Sequence, residues 1–199
     1  MSFPVLGDAL PRRGNRFSVW LARALLQGFG WRMEGSFPNV AKAVAIVAPH
    51  TSNWDFVVGV GAIFALPLRV KFLGKDTLFR WPLRGMMIWL GGIAVDRSRP
   101  HGVVAQVVED FARCGQIVLA VAPQGTRRAG APWREGFYHI ARAAGVPIVP
   151  VRFDYARRVI AFGPVLNPSG EVAPEMARLK AFCFDHRDRN RDRAPRAPI

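Results

Sequence analysis

A single α/β domain, with a mainly parallel mixed sheet flanked by helices, is what this 199-residue sequence predicts. Three observations predict it. The runs at 43–49, 116–122 and 147–152 are strongly apolar and short, as buried strands are. Segments of helical length separate them, and this alternation of strand and helix builds parallel sheets covered on their faces. No linker or internal repeat divides the chain, whose length suits one substantial core.

In chain order, residues 1–15 carry Pro4, Gly7, Pro11 and Gly14 and read as an irregular lead-in. Residues 16–30 read as an amphipathic helix with Trp20, Leu21, Ala24, Leu25 and Phe29 on one broad face. That face has two readings. It is an interfacial helix dipping aromatic side chains into lipid, with arginines near phosphates, or an ordinary helix packed on the core. Ala43 to Pro49 forms a strand that leads to a helix at about 53–65. A short strand at 69–73, a helix at 82–90 and a short strand at 92–95 follow. A helix at 101–113 precedes the strand 116–122, and a helix at 134–144 leads to the strand 147–152. Pro147 and Pro150 count against a central place for this last strand, because proline cannot donate to the ladder. A strand at 158–162 comes next, then a loop bracketed by Pro168 and Pro174, then a short helix at 175–184. The expected organisation is a lead-in and helix at 1–35, the α/β domain at 36–184 and a tail at 185–199. That tail mixes five arginines with three aspartates and two prolines and reads as disordered.

The net charge of +14 favours negatively charged partners: nucleic acid, anionic lipid or phosphorylated substrates. The charge is spread along the chain, with no run of like charges that suggests a nucleic-acid arm. Cys114 and Cys183 provide neither a disulfide framework nor a metal site, and read as buried free thiols suited to a reducing cytosol. No metal-ligand spacing and no phosphate-cradling Gly-rich loop with lysine is present, so no metal and no nucleotide cofactor is expected. No charge-free apolar stretch of about 20 residues exists to span a bilayer. Phe17 to Trp31 comes nearest, interrupted by Arg23 and Gln27. Arg12-Arg13 lacks the surrounding consensus and cleavage site of a twin-arginine signal, so the segment reads as mature chain.

The residues with chemistry begin where the first buried strand ends. His50-Thr51-Ser52-Asn53-Trp54-Asp55 sets an imidazole and a carboxylate with four residues between them. An imidazole titrates near neutral pH and can take a proton from a hydroxyl, and a carboxylate can fix its tautomer and stabilise the imidazolium. Ser52 and Asp55 also fit a helix start, with Ser52 as N-cap and Asp55 at the third helical position. Both readings can hold, because α/β proteins build sites where strands end beside helix N-termini.

Three further blocks follow: Gly91-Gly92-Ile93-Ala94-Val95-Asp96-Arg97, then Ala122-Pro123-Gln124-Gly125-Thr126-Arg127-Arg128, then Gly145-Val146-Pro147-Ile148-Val149-Pro150-Val151. The ordered set resembles the four blocks of the glycerolipid acyltransferase family, typified by 1-acyl-glycerol-3-phosphate acyltransferases, over roughly residues 40–165. The family pattern is His-x-x-x-x-Asp, a block ending in Asp-Arg, a block close to Phe-Pro-Glu-Gly-Thr-Arg, and Val-Pro-Ile-x-Pro-Val. Each block alone is weak, whereas four in order are specific.

The resemblance implies transfer of a fatty acyl group from acyl-CoA or acyl-carrier protein to a hydroxyl of a lysophospholipid or glycerol-phosphate-like acceptor. His50 would be the general base and Asp55 its partner, with the substrate supplying the hydroxyl that serine supplies in a hydrolytic triad. Arg97 and Arg127 are the implied phosphate ligands, suited by the planar guanidinium fork. Lys75, Gln124, Gly125 and Thr126 complete the implied substrate-binding set. No cofactor beyond the thioester co-substrate is implied. Expected partners are the donor, the lipid acceptor and an anionic membrane surface, with no nucleic acid. The expected location is peripheral, on the cytoplasmic face of the membrane.

One position departs from the family pattern. Gln124 stands where the family carries glutamate, and an amide keeps hydrogen-bonding capacity but not charge. The resemblance places this position against the acceptor head group or the arginines, so its neutrality leaves the pocket more positive. That prompts the alternative of a non-phosphate acceptor, such as an amino-acid lipid or a glycolipid. A catalytically inactive lipid-binding homologue is the rival from another class.

Overall fold

The computed structural model describes residues 3–50, 52–95, 100–125 and 131–184. Along the chain run α1 (Arg16–Gly28), β1 (Arg32–Glu34), β2 (Lys42–Val47), α2 (Trp54–Ala65), β3 (Val70–Lys75), α3 (Arg84–Leu90) and β4 (Gly92–Val95). Then come α4 (Pro100–Arg113), β5 (Ile117–Val121), α5 (Gly136–Ala143), β6 (Ile148–Asp154), β7 (Val159–Phe162) and α6 (Val172–Cys183). The strands form one seven-stranded sheet in the order β1-β7-β6-β2-β5-β3-β4. Every pairing is parallel except the antiparallel β6–β7. The expected α/β class with a mainly parallel mixed sheet is therefore the observed one.

The two faces of the sheet carry two cores, and β2 shows how the sequence divides them. Successive side chains of a strand point to opposite faces. Ala43 and Ala45 join one buried cluster with Ala22 and Leu26 of α1 and Val58, Ala62 and Ala65 of α2. Val44 and Ile46 join the other with Val107 and Phe111 of α4, Phe137 and Ile140 of α5, and Leu179 of α6. Helix α1 starts on a reciprocal cap. The Asn15 side chain accepts from the Ser18 N–H, and the Ser18 hydroxyl accepts from the Asn15 N–H, both at 2.9 Å. It then lays Leu26 over Gly61 of α2, where an added Cβ would meet Leu26 at 3.2 Å.

Helix α1 packs on the core along one side and leaves large apolar side chains exposed along another. Ala22 and Leu26 are buried in the core, while Trp20 is 63% exposed, Phe29 is 69% exposed, and Phe17, Leu21 and Leu25 are also exposed. Strand β1 is absent from the elements read in the sequence. Its three residues pair only with β7, at the sheet's edge, and show no apolar alternation.

Strand β6 does occupy a central place, between β7 and β2, despite Pro150. The Pro150 carbonyl accepts from the Gly163 N–H at 2.8 Å, and Gly163 lies just past the end of β7. The missing proline N–H thus falls where the antiparallel ladder is already ending. Helix α6 begins at Val172, ahead of its expected start. Pro174 lies in its first turn, where helix N–H groups have no intrahelical acceptor and a missing donor costs nothing. The tail at 185–199 lies outside the described residues.

Candidate active site

Because β2, β3, β4, β5 and β6 run parallel, their carboxyl ends lie along one edge of the sheet. His50 follows β2, Lys75 ends β3, Gln124 and Gly125 follow β5, and Tyr155 follows β6. This is the edge where open α/β sheets place their ligands.

Asp55 lies in the first turn of α2 and is 2% exposed. Its Oδ2 faces His50 Nδ1 at 3.3 Å and also accepts from the Ser52 N–H at 2.8 Å. Its Oδ1 accepts from the Tyr155 hydroxyl at 2.5 Å. Burial alone would raise the Asp55 carboxyl. Bonds from His50, Tyr155 and Ser52, with the nearby imidazole, outweigh it and hold the carboxyl below its ordinary value. The Tyr155 phenol is pushed well above its ordinary value by burial and by the carboxylate it donates to. The helix start differs from the expected one: Asn53, not Ser52, is the N-cap of α2, without a side-chain cap bond, and Asp55 is the second helical residue, while Ser52 Oγ accepts from the Trp54 N–H at 3.1 Å. Asp55 thus takes part in the helix start and also meets the imidazole.

The His50 side chain is about a quarter exposed. With Nδ1 turned to the carboxylate, Nε2 is the nitrogen left for a substrate. A histidine so held can take a proton from a hydroxyl at Nε2 while the carboxylate stabilises the resulting cation.

Gln124 lies beneath this pair and is 4% exposed. Its Oε1 meets the His50 N–H at 3.5 Å, and its Nε2 donates to the Ala131 carbonyl at 3.4 Å. The amide is therefore turned into the protein and links the loop after β2 to the loop after β5. Gly125 adopts φ +62°, a left-handed conformation that glycine reaches without strain, and its N–H donates to the Ala122 carbonyl at 3.0 Å. Of the other expected substrate-binding residues, Lys75 is placed by its backbone at the end of β3, in register with Val95 of β4. Arg97, Thr126 and Arg127 lie outside the described residues. Among the described residues, no group of three or more His, Cys, Asp or Glu side chains could hold a metal ion.

Tyr155 is the site residue that the sequence reading missed. It stands 100 residues from Asp55 and in no recognised block. Its signal was its place just past β6, because a polar aromatic there shares the edge with His50.

A buried carboxylate orienting a histidine at the carboxyl edge of a parallel sheet is the makings of an enzyme site that moves protons. Residues 32–154 match the Acyltransferase family, and the chain belongs to it. Two bacterial relatives are both 1-acyl-sn-glycerol-3-phosphate acyltransferases. The Escherichia coli protein is 34% identical over an alignment of 133 residues that covers 62% of this chain and 53% of that protein. The Haemophilus influenzae protein is 26% identical over an alignment of 188 residues that covers 83% of this chain and 76% of that protein. This chain therefore spans about half the length of the first and three quarters of the second. The crystal structure of the 1-acyl-sn-glycerophosphate acyltransferase PlsC from Thermotoga maritima shares the fold, with a TM-score of 0.60 at 14% identity. That match covers 85% of this chain and 76% of the other.

Proposed function

We propose that this protein transfers a fatty acyl group from acyl-CoA or acyl-carrier protein to a hydroxyl of a 1-acyl-glycerol-3-phosphate-like acceptor. The observation that carries the reading is the His50–Asp55 pair, held at 3.3 Å through Nδ1, in a chain of the acyltransferase family. The acceptor oxygen attacks the thioester carbonyl as His50 Nε2 takes its proton. The tetrahedral oxyanion collapses, the carbon–sulfur bond breaks, and the leaving thiolate takes the proton back from His50. A thioester is already activated, so the protein need not form an acyl intermediate of its own.

Arg97, Arg127 and Lys75 supply the cations for the acceptor's phosphate in this reading, with Gly125 and Thr126 shaping the loop around it. Gln124 acts on that pocket through the loop that carries His50. The exposed apolar side of α1 rests on the membrane surface, from which the acceptor is drawn. No helix among the described residues is long and apolar enough to cross a membrane.

The test is a reaction of the purified protein with acyl-CoA or acyl-carrier protein and a panel of lysolipids, following thiol release and identifying products by mass. The reading expects 1-acyl-glycerol-3-phosphate to be acylated and His50→Ala, folded and soluble, to be inactive. A folded His50→Ala variant with wild-type turnover would falsify the assignment of the base.

A further inference from the structure

A second candidate site lies at the opposite edge of the sheet, where β3 and β4 begin. There a cleft of about 500 Å³ is lined by Arg12, Arg13, Arg69, Lys71, Ile88 and Trp89, among others. The chain itself draws the arginines together. The lead-in runs antiparallel to residues 67–69 in a single bridge, Arg12 to Leu68. The Arg13 N–H donates to the Pro67 carbonyl at 3.0 Å and the Arg69 N–H to the Pro11 carbonyl at 2.8 Å. Three guanidinium side chains therefore leave two adjacent segments of fixed backbone.

Two of them are held by neutral groups. Arg12 Nη2 donates to the carbonyls of Leu6 and Gly7 at 2.7 and 2.8 Å. Arg13 donates to the carbonyls of Leu90 and Trp89 at the end of α3, and its guanidinium packs over the rings of Phe64 and Trp89. No carboxylate of the described residues forms an ion pair with Arg12, Arg13 or Arg69; only Lys71 has one, with Asp110 at 3.6 Å. Burial, together with the charge of Arg69, pulls the Arg13 guanidinium below its ordinary value. Gathering like charges without a counter-charge opposes folding, and solvated surface arginines would spread apart. One wall of the same cleft is apolar and exposed, at Ile88 and Trp89.

We infer that the cleft between the lead-in and the starts of β3 and β4 binds the phosphate of an anionic lipid, with Arg12, Arg13 and Arg69 on the headgroup and Trp89 beside the acyl chains. The guanidinium fork matches phosphate oxygens, and a tryptophan beside cations suits the level of the headgroups. The cleft lies at the far edge from His50, so this lipid is neither acceptor nor donor but a surface ligand that orients the protein. The inference rests on the membrane-surface part of the proposed function and not on the acyl-transfer chemistry.

The full chain is titrated with vesicles of phosphatidylcholine alone and of phosphatidylcholine with phosphatidylglycerol. Arg69→Gln tests the site, because the Arg69 side chain is exposed and its structural bond is made by the backbone. Lys180→Gln, an exposed cation of α6 on the other face of the sheet, is the charge-matched control. Wild type is expected to bind the anionic vesicles at least about tenfold more tightly than the neutral ones. Arg69→Gln should lose most of that gain, Lys180→Gln should keep most of it, and both should bind neutral vesicles as wild type does. Equal losses in the two variants, or none in either, would overturn the site. If Arg69→Gln abolished thermal stabilisation by inorganic phosphate but left vesicle binding untouched, the cleft would hold free phosphate and the lipid assignment would fall. Absence of wild-type binding to either vesicle would remove the membrane-surface reading and the lipid with it. Vesicle binding indifferent to Arg69 removes the cleft alone.

Discussion

The phenol of Tyr155 donates a 2.5 Å hydrogen bond to the Oδ1 of Asp55, the oxygen that His50 does not use. The carboxylate is thereby pinned at both oxygens, by β6's end on one side and by the imidazole and the Ser52 N–H on the other. Trp31 packs its ring edge-on to Tyr155, with centroids 5.1 Å apart, and holds the phenol in place.

Tyr155→Phe keeps the ring and removes the donor. A hydrogen bond to a charged group is worth about 1.5–3 kcal/mol. If part of that serves to orient His50, kcat should fall about tenfold, equivalent to about 1.4 kcal/mol, while KM changes little. Steady-state kinetics with the thioester donor measure this. A lower Tm with unchanged kcat would make Tyr155 a packing residue only.

Asp55→Asn should cost about three to four orders of magnitude in kcat, because an amide cannot hold the imidazole tautomer that the carboxylate holds. It should also lower Tm, since an amide offers one acceptor oxygen where the carboxylate offers two. The pH dependence has a definite sign. The folded carboxyl lies below its ordinary value, so its stabilisation is fully present above about pH 3.9 and is lost as pH falls through the lower folded value. Melting curves of wild type and variant should therefore converge below about pH 4 and stay apart at neutrality.

Gln124→Glu should destabilise the protein at neutral pH. The new carboxylate would face the Ala131 carbonyl that Gln124 Nε2 now donates to, in a site only 4% exposed. Loss of that partner is worth about 1–3 kcal/mol. A protonated glutamic acid can still donate, so its folded pKa should rise. The variant should then approach wild-type stability below the ordinary glutamate value of about 4.3 and lose it as pH rises. Thermal melts across pH settle the point. An acceptor panel run beside them reports whether the change also reaches substrate preference.

Trp20→Ser combined with Phe29→Ser should leave the unfolding free energy within about 0.5 kcal/mol of wild type, since both side chains are exposed. Sedimentation with phosphatidylcholine vesicles should drop, because the apolar side of α1 would no longer enter the interface. Undiminished sedimentation would remove α1 from the membrane contact.

The sheet's centre was legible because its strands are buried on both faces. Ala43 to Val47 and Ile117 to Val121 are continuous apolar runs that no other element explains. The His50 and Asp55 pairing was legible because both lie within one strand-to-helix turn. Strand β1 was not, because three edge residues carry no periodicity. Tyr155 was not, because its partner lies across the fold, and the parallel pairing of β2 with β6 brings the two strand ends together. The arginine cleft was hidden for the same reason. Arg12 and Arg69 are neighbours only once the lead-in has docked.

The division of side chains along β2 carries a consequence for how this protein tolerates change. Its α2 side is lined by alanines and its α4 side by valine and isoleucine. Those alanines share one buried cluster with Val58, Ala62 and Ala65 of α2, the helix that carries Asp55 to the loop holding His50. A single enlargement such as Ala45→Val would cost about 1–3 kcal/mol in overpacking, which many domains survive. Strain relieved through α2 would reach Asp55 as well, and its 3.3 Å approach to His50 has little distance to give. The alanine side of β2 is thus tied to the active site through the helix with which it shares a core, and drift there can cost activity before it costs the fold.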